Sequence, residues 1–84
     1  MNHPITFYYL PDCPPCEKTK PEALRAAMDT GRDILFVNAR TRAPEALADL
    51  GVTSAPTICN GTRQIRGGQT YDRLTRFFEE SPSR

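Results

Sequence analysis

An excess of charge of either sign is missing from this chain of 84 residues: eleven Lys and Arg stand against ten Asp and Glu. Such a balanced surface gives a polyanion little to grip, so neither nucleic acid nor an anionic membrane is expected as a partner. Long apolar runs are missing too. The run within Met1 to Leu10 is too short for a membrane-spanning helix or a secretory signal, and no basic leader accompanies it. A cytoplasmic protein is expected. Cysteine is scarce and its count is odd: three residues, which cannot all pair within one chain. That argues against a scaffold stapled by disulfides. In a reducing compartment a cysteine pair is more often transient and catalytic. Repeats and linkers are also absent. One domain over residues 1–84 is expected, with a core small enough to make it only marginally stable.

What is present reads as alternating strands and helices. Ile5 to Leu10 and Ile34 to Val37 are continuous apolar runs, which predict strands covered on both faces. Between them, about Pro14 to Asp29 reads as a helix with Ala23, Leu24, Ala27 and Met28 as its inward stripe and Gly31 as its C-cap. Pro21 lies inside that helix, cannot donate to the Glu17 carbonyl, and predicts a kink. Pro44 to Leu50 reads as a short helix that starts on a proline and stops at Gly51. Thr57 to Cys59 and Thr62 to Arg66 flank Asn60-Gly61, a hairpin signal. After Gly67-Gly68, Thr70 is the candidate N-cap of a last helix with Tyr71, Leu74, Phe77 and Phe78 inward. Ser81 to Arg84 should fray. The predicted order is β-α-β-α-β-β-α.

Cys13-Pro14-Pro15-Cys16 falls where the first strand turns into the first helix. Two thiols at this spacing can close and reopen a disulfide with little backbone movement. At a helix N-terminus the first thiol lies in positive potential, which favours its reactive thiolate. Cys13 should therefore be the exposed nucleophile. Cys16, one turn inside, should be the buried thiol that resolves the mixed disulfide. Activation of Cys13 should be modest for such a site. An N-cap side chain accepts from N2 or N3, and Pro14 and Pro15 have no N–H, so only the Cys16 amide remains. Asp12 adds a charge of the wrong sign. A structural zinc site on Cys13, Cys16, Cys59 and His3 is the metal alternative, but only one closely spaced ligand pair is present, so no metal is expected. Cys59, in a strand, should behave as a small buried hydrophobe. Arg63, Arg66, Arg73 and Arg76 read as a solvated face, with a docking patch for an acidic partner as the alternative.

With Cys13-Pro14-Pro15-Cys16 after the first strand, Ala55-Pro56-Thr57 before the third, and Gly67-Gly68 ahead of the last helix, the chain resembles small members of the thioredoxin and glutaredoxin superfamily over nearly its whole length. The resemblance implies a thioredoxin-like α/β fold, with a four-stranded mixed sheet and three helices. It implies a monomeric thiol–disulfide oxidoreductase that reduces protein disulfides, a ribonucleotide reductase among them. It implies a cis Ala55–Pro56 peptide facing the dithiol, so that Ala55 and Pro56 shape a substrate groove. No organic cofactor is implied beyond the redox-active disulfide. Electrons would come from a thioredoxin reductase or from glutathione. Cys16 to Pro21, with the proline at the usual spacing, and Gly51 to Thr57 are thioredoxin-like. The short length and Gly67-Gly68 are glutaredoxin-like, but Pro15 stands where glutaredoxins carry tyrosine, and Leu10-Pro11-Asp12 offers no lysine just before Cys13. The buried acid and the tryptophans of thioredoxins are missing, and Phe7 stands near the place of the acid. Gly67-Gly68 is read equally as a turn or as a loop that lets a ligand approach. The rivals are a glutathione-dependent glutaredoxin, a non-catalytic binding module on the same fold, and the zinc protein.

Overall fold

The computed structural model describes residues 4–80. Two expectations, His3 as a zinc ligand and fraying of Ser81 to Arg84, fall outside them. Strand β1 (Ile5–Tyr9) leads into helix α1 (Pro14–Asp29), then β2 (Ile34–Asn38), a 3-10 turn (Ala39–Thr41), α2 (Pro44–Asp49), β3 (Thr57–Asn60), β4 (Arg63–Arg66) and α3 (Tyr71–Glu79). The strands form one sheet in the order β2-β1-β3-β4. β1 pairs with β2 in parallel, and the other two pairings are antiparallel. The order and the mixed character agree with the expectation.

Register decides which side chains meet. Ile5 and Phe7 of β1 lie level with Ile34 and Phe36 of β2 and with Asn60 and Ile58 of β3. Because strand side chains alternate, these residues share one face. α1 and α3 cover that face, and Ile5, Phe7, Ile58, Ala23, Ala26, Ala27, Leu74, Phe77 and Phe78 form the core. Phe7 packs on Phe36 with ring centroids 5.3 Å apart. Emptying such a position by Phe→Ala costs about 3–5 kcal/mol. The other face, with Thr6, Tyr8, Leu35, Val37 and Cys59, is only partly covered, and α2 buries none of its residues. Leu35 stays 54% exposed. The apolar runs therefore did not mean coverage on both faces. A short α2 lacks the width to cover four strands.

The inward stripe of α1 also differs from expectation. Cys16, Thr19, Ala23, Ala26 and Ala27 are buried. Leu24 and Met28 point outward, with Met28 71% exposed. Small residues on the inner side let α1 lie close to both the sheet and α3, which leaves no room for the longer side chains. Both helix stops hold as expected. Gly31 has φ +69° and Gly51 φ +77°. Beyond them, Arg32 donates back to the Ala27 carbonyl and Val52 to the Leu47 carbonyl, the paired closure that a left-handed residue at C′ allows. α1 runs through Pro21 as one continuous helix, with the proline on its exposed side.

The hairpin turn is shifted by one residue. Asn60 pairs with Arg63 and belongs to β3, so the loop is Gly61-Thr62. Gly61, at φ +65°, opens it, as a type II′ turn requires of its first central residue. Asn60 is drawn into the strand by its amide. It is fully buried; its Nδ2 donates to the carbonyls of Phe77 (2.9 Å) and Glu80 (3.1 Å), and its Oδ1 accepts from Arg32 (2.8 Å).

Candidate active site

Cys13 is the N-cap of α1, in extended backbone geometry at φ −130°. Its sulfur is bonded to that of Cys16, with the two Cα atoms 5.2 Å apart. The spacing follows from the helix start. An extended N-cap followed by one helical turn brings residue N3 back beneath the cap. The Cys16 amide donates to Cys13 Sγ at 3.3 Å. Pro14 and Pro15, at N1 and N2, contribute no N–H. Cys13 is 9% exposed and Cys16 1%. Cys16 is the deeper of the two, as expected. Cys13 is more enclosed than expected, because the Ala55–Pro56 segment packs over it.

That segment is anchored on both sides. The Ala55–Pro56 peptide is cis, as the resemblance implied. The Thr57 hydroxyl donates to the Ser54 carbonyl at 2.6 Å. The Gly67 amide donates to the Pro56 carbonyl at 2.9 Å. Between these anchors the Ala55 carbonyl oxygen lies 3.8 Å from Cys13 Sγ. A free thiol at Cys13 could donate to that oxygen, whereas a thiolate would be repelled by it.

The two glycines divide the two readings between them. Gly67 has φ +83° and is required by the turn. Gly68 needs no such conformation, and a Cβ there would meet Thr19 Oγ1 at 3.8 Å, an ordinary contact. Gly68 instead lines a hollow of about 360 Å³ together with Pro14, Pro15, Lys18, Thr19, Gln69 and Thr70. A second hollow, of about 180 Å³, lies beside Ala55 and is mostly apolar, with Leu10, Leu47 and Val52 in its wall. The dithiol is thus flanked by two concave surfaces.

Thr19 escaped the sequence reading. It is 1% exposed, and its Oγ1 accepts from the Gln69 amide at 3.4 Å, which ties the glycine loop to the helix that carries the cysteines. A polar residue one turn past Cys16 on the same helix face was the available signal. Pro21 lies five residues beyond Cys16 on the outside of α1 and touches neither hollow.

Cys59 is free and only half-buried. It lies in β3 on the face away from α1, so it is not the core residue expected. Burial pushes its thiol above the usual range, against the pull of Arg66 and a hydrogen bond with Gln64. No group of three or more His, Cys, Asp or Glu able to hold a metal occurs among the described residues. Of the arginines, Arg63 pairs with Glu80 at 2.8 Å, and Arg66 donates to the Gly51 carbonyl at 2.7 Å. Arg73 donates to Gln69 at 3.2 Å, so at least these three are engaged locally.

Solved structures share this fold. A mutant thioredoxin from Halobacterium salinarum superposes with a TM-score of 0.80 at 19% identity, over 95% of this chain and 74% of that one. The Escherichia coli NrdH-redoxin, described as a glutaredoxin-like protein with a thioredoxin-like activity profile, gives 0.64 at 29% identity, over 95% of this chain and all of its own. A glutaredoxin from Archaeoglobus fulgidus gives 0.62 at 18% identity, over 90% and 86%. No family model and no curated protein sequence matches the chain. The fold is thioredoxin-like, and with a close cysteine pair at the start of α1 it supports thiol–disulfide exchange in general terms. Among the described residues, no helix is long and apolar enough to cross a membrane.

Proposed function

We propose that this protein is a cytoplasmic, monomeric disulfide reductase of thioredoxin type. Cys13 is the nucleophile, and Cys16 resolves the mixed disulfide. Ala55 and Pro56 offer an extended edge to the target segment, while the surfaces beside Gly67 and Gly68 receive the donor. No resident cofactor is needed, because the cysteine pair carries the two electrons. Targets are protein disulfides, with a ribonucleotide reductase as a candidate on the strength of the NrdH-redoxin likeness. The observation that carries this reading is Cys13 at the N-cap of α1, joined to a deeper Cys16 and faced by Ala55.

A thioredoxin reductase is favoured as donor, since Pro15 and the lack of a lysine in Leu10-Pro11-Asp12 depart from the glutaredoxin pattern. Glutathione is the second reading, supported by the hollow of about 360 Å³ beside Gly68, which offers Lys18, Gln69 and Thr70 to a small polar thiol. Reduction of a protein disulfide, followed with thioredoxin reductase alone and then with glutathione alone, separates the two. Cys13→Ser is expected to reduce either rate to background, because a hydroxyl cannot replace the thiolate as nucleophile. An active Cys13→Ser variant would refute the exchange mechanism and favour the non-catalytic binding module.

A further inference from the structure

Asparagine is a chemically labile residue, because the backbone that carries it can consume it. The amide nitrogen of the next residue attacks Cγ. A new N–Cγ bond closes a succinimide ring, and the Cγ–Nδ2 bond breaks with loss of ammonia. Water then adds to either ring carbonyl and leaves an aspartyl or an isoaspartyl residue. Nothing is oxidised or reduced, and water is the one co-reactant. A glycine in the next position favours the attack, since it has no Cβ to crowd the nitrogen or restrict its approach. The chain carries Asn2, Asn38 and Asn60, and only Asn60 is followed by glycine.

The fold holds this reaction off. Asn60 is fully buried, with Nδ2 donating to the carbonyls of Phe77 and Glu80 and Oδ1 accepting from Arg32. Its backbone is paired with Arg63 across the hairpin. Before the Gly61 nitrogen can reach Cγ, the side chain must turn back toward its own main chain and give up all three hydrogen bonds. Gly61 itself is exposed, so water is at hand once the side chain is released. The product does not fit the place it came from. An aspartate only accepts hydrogen bonds. It can still take the Arg32 N–H, but it turns an oxygen toward two carbonyl oxygens where an amide had donated. An isoaspartate lengthens the main chain of β3 by a carbon beside the turn, which spoils the pairing with Arg63.

We infer that Asn60-Gly61 is a self-modification site held silent by Arg32 and the end of α3: when that end opens, Asn60 converts to an aspartyl or isoaspartyl residue, and the converted chain cannot close the same contacts again. The site lies at the end of the sheet away from the cysteine pair and is independent of the exchange reading. It gives each molecule an irreversible record of having opened, and so sets a limit on its working life. It also defines a partner by chemistry, an enzyme that methylates isoaspartyl carboxyl groups. Asn38 provides an internal control. Its next residue, Ala39, carries a Cβ, and its side-chain oxygen accepts from the Arg40 amide at 2.9 Å.

The test incubates the purified full chain at mildly alkaline pH in buffer, in graded urea below its unfolding transition, and in urea above it. Conversion is mapped to each asparagine by peptide mass, and isoaspartyl groups are counted by enzymatic carboxyl methylation. In unfolding urea Asn60 should convert well ahead of Asn38. In buffer its conversion should be about a hundredfold slower than in unfolding urea, the effect of three hydrogen bonds that must open together. Across the graded series its rate should climb with the opening of α3, followed by amide hydrogen exchange. Asn60→Asp, the aspartyl product made directly, should unfold at lower urea than wild type. A buffer rate within about tenfold of the rate in unfolding urea overturns the inference. So does Asn38 converting as fast as Asn60, a rate that ignores the opening of α3, or an Asn60→Asp chain as stable as wild type. None of these readouts uses disulfide reductase activity, so failure here is distinguishable from failure of the exchange reading.

Discussion

Where β1 ends, Cys13 receives a single amide hydrogen bond at 3.3 Å and faces a carbonyl oxygen on its other side. Where β1 begins, next to Asn60 and the turn before β2, polar groups are tied closely to one another. Arg32 donates to the Phe78 carbonyl at 2.6 Å and to Asn60 at 2.8 Å, and Asn60 donates onward to Phe77 and Glu80. Those carbonyls belong to the end of α3, which has no further helical turn to satisfy them. A guanidinium there also suits the negative end of the helix dipole. Burying polar groups is tolerable only with partners in place, so the far end acts as a lock. The dithiol end does the reverse: the outer sulfur has few polar partners. The molecule keeps its tightly bonded polar groups and its cysteine pair at opposite ends of one sheet.

The sharpest way to break this comparison is Asn60→Ala. It strips one acceptor from a buried guanidinium and one donor from two helix-end carbonyls. Urea unfolding should show a loss of about 3 kcal/mol. The exchange rate per folded molecule should stay within about twofold. A rate that fell along with stability would mean that the two ends are not independent.

Gly67→Ala comes next. Holding an alanine at φ +83° costs about 1–2 kcal/mol. Gly68→Ala carries no such cost and should leave stability within about 0.5 kcal/mol. It should instead raise KM for the donor, because a methyl group intrudes on the hollow beside Pro15. If both substitutions destabilised equally, the division between a turn glycine and a groove glycine would be wrong.

The smallest effect concerns the seam between α1 and α3, which joins the two ends. The Tyr71 hydroxyl donates to the Asp29 carboxylate, and Arg25 lies over the Tyr71 ring at 4.8 Å. The bond to Asp29 raises the phenol above its usual value of 10.0. The folded state therefore holds this proton more tightly than the unfolded chain does. The resulting stabilisation is fully present below the unfolded pKa and is lost as pH rises through the folded one. Tyr71→Phe should be slightly less stable than wild type at neutral pH, and the gap should close in alkaline solution. A gap that widened with pH would contradict the assignment.

Much of this was legible in the residues. α1 begins at Pro14 and ends at Asp29 as expected, because a proline suited to N1 and a glycine suited to C′ mark its limits. Thr70 caps α3, accepting from the Arg73 amide at 3.3 Å. The single donor to Cys13 could be read from two prolines in a row. Other features depended on distant partners. Asn60-Gly61 is a strong turn signal, yet Asn60 joined the strand because carbonyls of α3 and the Arg32 guanidinium claimed its amide. Leu24 and Met28 fit a helical stripe, but alanines took the inner side because the sheet and α3 both press on α1. Thr19 is an ordinary helix residue until the glycine loop is folded against it.

By itself the order of residues determined where α1 and α3 start, where α1 and α2 stop, and that one cysteine would cap a helix with a second one turn below. These are local matters, decided by which residues lack an N–H, which tolerate a positive φ, and which repeat at helical or strand spacing. Only the tertiary structure decided that Ala55 would face the sulfur, that Gly67 would bond to Pro56 while Gly68 opens onto a hollow, and that one face of the sheet would stay only partly covered. Each of those depends on groups far apart in the chain competing for the same space or the same hydrogen bond, and no local pattern records the winner.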